Sequence, residues 1–72
     1  MKHDDKSAHI VAEHHKSEVD AATTLMDKAI ESTAHRDYVH AIELLKCSID
    51  HLHAAEIIQR ILKDLGRAIA ER

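Results

Sequence analysis

Residues 37–72 read DYVHAIELLKCSIDHLHAAEIIQRILKDLGRAIAER, and the fold follows from how this stretch repeats. Counted in alternating steps of four and three, one stripe runs His40, Leu44, Cys47, His51, Ala54, Ile58, Ile61, Leu65, Ala68. That is the period of an α-helix with one side set against a neighbour. The second half of the stripe is hydrophobic seam. The first half places two imidazoles and the only thiol where a seam takes Leu or Ile. A second, wholly apolar stripe, Tyr38, Ile42, Leu45, Ile49 and Leu52, runs on roughly the opposite side of that first half. A helix built this way needs cover on two sides.

Nothing in the stretch stops a helix. The apolar side changes near His53-Ala54-Ala55-Glu56, but Ala-Ala-Glu is a strong helix former, so one helix over about 37–70 is expected rather than two. Upstream, Ser32-Thr33-Ala34-His35-Arg36 favours a break, because Ser and Thr side chains compete for backbone hydrogen bonds. Asp37 is suited to cap the helix that follows. Before the break, Ala8, Val11, His15, Val19, Ala22, Met26 and Ala29 share one face, with Leu25 and Ile30 at its margins. They give a first helix over about 6–32, with Asp4 or Asp5 placed to cap its start. Its face is Ala-rich and thin, so a neighbouring helix can come close.

Composition agrees with an all-α chain. There is no Pro, the only Gly is Gly66, and Tyr38 is the only aromatic residue; a sheet protein needs turn chemistry absent here. Seventy-two residues make a single domain, 1–72, and one this small has marginal stability alone. With a single cysteine no internal disulfide can form, which leaves oligomerisation or a metal as reinforcement. The expected architecture is therefore a long antiparallel helical hairpin, assembling as a homodimeric four-helix bundle.

Charge and hydropathy exclude several function classes. Net charge is −3 with neutral histidines, and no basic stripe of the kind that holds phosphates is present. No apolar run approaches the ~18 residues of a membrane span, and the first residues do not read as a signal peptide. Neither nucleic acid nor membrane is an expected partner. One thiol and no export signal place the expected compartment in the cytoplasm.

Eight histidines in 72 residues are the outstanding compositional feature. Imidazole ligates metals and titrates near neutral pH. With a turn near residues 34–35, residue i lies beside roughly residue 69−i, which sets Glu18 near His51, Ala22 near Cys47 and His15 near Ala54. His15, Glu18, Cys47 and His51 then converge on one layer as a candidate site for Zn²⁺ or another divalent transition metal. The competing reading makes His15 and His51 polar seam residues that set register. Protonation of all eight would carry the formal charge from −3 to +5, so acid is expected to loosen a histidine-lined seam. Cys47 has His51 one turn away, but no Gly-rich loop or third orienting group supports a nucleophile, and no enzyme activity is expected.

The segment from Leu25 to Ser48 resembles one tetratricopeptide-type helix pair in Leu25, Ala29, Arg36-Asp37-Tyr38, Ala41, Leu45 and Ser48. It covers a third of the chain and lacks the following Pro, and a single repeat is not a stable array. No family is assigned on it. The function expected is that of a small, self-associating interaction or regulatory protein that binds a protein partner through a helical face. Ile58, Ile61, Leu65 and Ile69 form the candidate interaction face; the alternative is a metal-binding bundle for sensing, storage or delivery.

Overall fold

The computed structural model describes the backbone of residues 2–70 and the side chains of residues 6–68 and 70. Two helices, α1 (Lys2–Ala34) and α2 (Tyr38–Ala70), pack against each other as a hairpin. The helix starting at Lys2 begins earlier than expected, so Asp4 and Asp5 lie within it; their side chains, and the capping expected of them, fall outside the described residues. α2 is continuous through residues 53–56, as Ala-Ala-Glu requires.

The turn falls where Ser, Thr and Asp weaken the helix. Arg36 takes a left-handed conformation, φ 63°, and two backbone bonds close the end of α1 around it. The Asp37 N–H donates to the Ser32 carbonyl and the Arg36 N–H to the Thr33 carbonyl, both at 2.9 Å. This is a Schellman closure, normally made with glycine because a Cβ is strained there. Asp37 then opens α2. Its carboxylate Oδ1 accepts the His40 N–H at 3.2 Å, and its carbonyl accepts the Ala41 N–H at 3.0 Å. The cap expected at Asp37 is in place.

Burial defines the seam. On α1 it follows Ala8, Val11, His15, Glu18, Ala22, Leu25, Ala29 and Ser32; on α2 it follows Ala41, Leu44, Ser48, His51, Ala55, Ile58, Leu62 and Leu65. On α1, Ala8, Val11, His15, Ala22 and Ala29 are shared with the expected face, while Glu18 and Leu25 take the places expected of Val19 and Met26, which are half-buried beside them. The α2 face departs further. Leu44, His51, Ile58 and Leu65 are shared with the expected stripe, but every alternate position moves forward by one residue. Ala41 replaces His40, Ser48 replaces Cys47, Ala55 replaces Ala54 and Leu62 replaces Ile61.

The physical reason lies in the thinness of α1. The fully covered positions are Ala22, Ala29, Ala41, Ser48 and Ala55, all at most 5 % exposed. Small residues on both helices let the backbones approach, close enough for the Ser48 hydroxyl to donate to the Ala22 carbonyl across the seam at 3.0 Å. An imidazole or thiol at those positions would hold the helices apart and forfeit that packing. Rotating α2 to bring its small residues inward also brings the second stripe to about 100° from the seam rather than opposite it. The hairpin is a rod of 55 × 15 × 11 Å with a radius of gyration of 16.3 Å, against about 11 Å for a compact chain of this length.

Candidate functional site

Of the four residues expected to gather around a metal, the fold unites two. His51 on α2 and Glu18 on α1 meet across the seam, with Nδ1 2.7 Å from Oε2. An ionised carboxylate only accepts, so the imidazole Nδ1–H donates. His14, one turn before Glu18, places its Nε2 3.6 Å from Oε1 on an exposed flank. The His51 hydrogen bond holds the Glu18 carboxyl below the usual carboxylate range; partial burial opposes this, and the imidazoles of His51 and His14 add to the lowering.

Cys47 is exposed, one residue outside the seam, and His15 is half-buried in it. Among the described residues, no three of His, Cys, Asp and Glu form a group able to hold a metal ion. The rotation of α2 is the cause: it exchanges Cys47 for Ser48 at the position facing Ala22. The register itself is close to that expected, since Glu18 does meet His51. Ser48 and His14 were not among the expected residues. The recurrence of small residues at Ala41, Ser48 and Ala55 was the signal for the first, and the His14–Glu18 spacing of four for the second.

The candidate interaction face is split. Ile58 is core at 9 % exposure, Leu65 is half-buried and Ile61 is 44 % exposed; the Ile69 side chain falls outside the described residues. α1 and α2 are of equal length, 33 residues each.

The larger apolar surface is the second stripe. Tyr38, Ile42, Leu45, Ile49 and Leu52 are each between 43 and 57 % exposed. Val39 and, on α1, Ile30 are more exposed still. Isolated apolar residues on a surface need no explanation, but here they form a continuous row at helical spacing. No helix among the described residues is long and apolar enough to cross a membrane, so a bilayer span does not account for the row. No protein family, curated protein or solved structure matches the chain.

Proposed function

We propose that this chain is a small non-enzymatic interaction protein, one that self-associates as a homodimeric four-helix bundle and offers a helical surface to a protein partner. The observation that carries the reading is the exposed row from Tyr38 to Leu52. In an isolated hairpin these five side chains remain substantially in water, although burying a Leu or Ile fully is worth about 1.5–3 kcal/mol. A rod with one thin seam gains more from covering that row than from any change within itself.

The Glu18–His51 contact has a structural role in this reading. It costs some seam hydrophobicity and in return favours one alignment of α1 on α2, as buried polar pairs do in coiled coils. The test is the solution mass of the untagged protein at neutral pH, by light scattering and native mass spectrometry. A dimer is expected, reduced to monomer by Ile42→Asp with Ile49→Asp. A monomer at every concentration would overturn the reading.

A further inference from the structure

Near the turn, the exposed apolar residues other than Val39 lie on one side of the rod. Viewed along its axis, successive residues advance clockwise on α1 and anticlockwise on α2, because both helices are right-handed and they run in opposite directions. The residue one step after each seam position therefore emerges on the same side from both helices. On α2 these residues are Ile42, Leu45, Ile49 and Leu52, with Tyr38 one turn before Ile42. On α1 they include Val19, Met26 and Ile30. Residues one step before the seam take the opposite side, and there Lys28 and Glu31 of α1 share a polar groove with His40 of α2. In the half of the rod next to the turn, one broad side is mainly apolar across both helices, its Thr23 and Thr33 hydroxyls bound to α1 carbonyls, and the other is polar; toward the open end Ile10, Ile57 and Ile61 fall on that second side.

Both apolar segments also sit at one level of the rod. Counting three residues along each helix from the Ser48–Ala22 contact sets Leu45 level with Leu25. Leu45 is the middle of the row on α2, and Leu25 is close to the middle of Val19, Met26 and Ile30 on α1.

We propose that this side is covered by the same side of a second copy, related by a two-fold axis perpendicular to the rod at the level of Leu45. α2 then lies antiparallel on its symmetry mate, and α1 on its own. The spacing of the row reads nearly the same in both directions from Leu45, so Tyr38 meets Leu52 of the partner subunit, Ile42 meets Ile49 of the partner subunit, and Leu45 meets its own copy. Isologous pairing of this kind is the commonest closed symmetry.

Two observations favour this occupant and this axis. The chain exposes 5703 Å², about 1,200 Å² more than the ~4,500 Å² of a compact monomer of this size. A standard interface takes about 800 Å² from each partner, so one copy of the same face fits within the excess. An axis parallel to the rod would overlay the open ends as well, where Lys16 of α1 and Glu56 and Lys63 of α2 occupy this same side, and would strip water from these charges, a cost that pairing across the interface need not repay. The perpendicular axis overlaps the closed halves and leaves those charges solvated.

The proposal rests on the self-association argued above, and cross-linking separates the two. In a Cys47→Ser background, Leu45→Cys chains are expected to link to themselves under mild oxidation. Tyr38→Cys and Leu52→Cys chains, unfolded together and refolded, are expected to link to each other in preference to themselves, since disulfides need Cβ atoms within about 4.5 Å. Ile49→Asp is expected to keep its helicity and lose the dimer, whereas Glu43→Lys on the polar side keeps both. Linking of Leu45→Cys to Met26→Cys, with none to itself, would overturn the perpendicular axis and leave self-association standing. A dimer surviving Ile49→Asp would overturn the face. A monomer throughout would overturn this proposal and the reading beneath it together.

Discussion

His51 and Glu18 join the two helices through a 2.7 Å hydrogen bond at mid-seam, where each heptad stripe puts a polar residue opposite another. Neither residue packs as well as Leu would. Replacing both by Leu is expected to raise the melting temperature, because a polar seam pair contributes less than the apolar packing it displaces. Glu18→Leu or His51→Leu alone leaves the other partner unpaired and is expected to gain less or lose. A thermal melt of the three variants, read as a double-mutant cycle, measures the coupling.

Acid stability follows from the same pair. Folding holds the Glu18 carboxyl below its usual range, so the folded chain binds that proton more weakly than the unfolded chain. The contribution is complete above the ordinary Glu value of about 4.3 and is lost as pH falls through the lowered one. Glu18→Gln is expected to flatten the melting temperature against pH below that value and change little of its slope above. Parallel curves for wild type and variant below about pH 4 would remove Glu18 from the account.

Neighbouring residues at the seam separate its true phase from the one legible in the sequence. Ser48 is 2 % exposed and Cys47 is exposed. Ser48→Leu is expected to cost about 1–3 kcal/mol by forcing the helices apart, whereas Cys47→Leu should stay within about 0.5 kcal/mol. The reverse order in urea melts would restore the sequence-derived stripe.

The same contrast applies further along α2. Ile58→Asp places an unpaired charge in the core, and a loss of about 3 kcal/mol or more is expected, visible as lost helicity. Ile61→Asp, on an exposed position, should leave the circular dichroism spectrum unchanged.

Arg36 carries a strained backbone at the turn, φ 63°. A left-handed conformation costs a side-chain-bearing residue about 1–2 kcal/mol, part of which glycine returns as greater freedom in the unfolded chain. Arg36→Gly is expected to stabilise the hairpin by about 1 kcal/mol, raising the melting temperature by about 4–8 °C. A lower melting temperature would mean that the arginine side chain contributes more than its backbone costs.

The amino-acid sequence by itself determined the helices, the break at Ser32–Arg36, the cap at Asp37 and a register that pairs Glu18 with His51. These follow from local rules: hydrophobic period, the competition of Ser and Thr for backbone groups, and the length of chain on either side of a turn. The rotation of α2 about its own axis is different. Two stripes sharing Leu44, His51, Ile58 and Leu65 fit the helical period equally well, and only contact with α1 chooses between them. The Ala-rich face of α1 rewards close approach, so Ala41, Ser48 and Ala55 turn inward while His40, Cys47 and Ile61 turn out. That single choice dispersed the expected ligand cluster and left the row from Tyr38 to Leu52 exposed beside the seam. Periodicity marks which residues share a side of a helix; packing against a particular neighbour decides which side is buried.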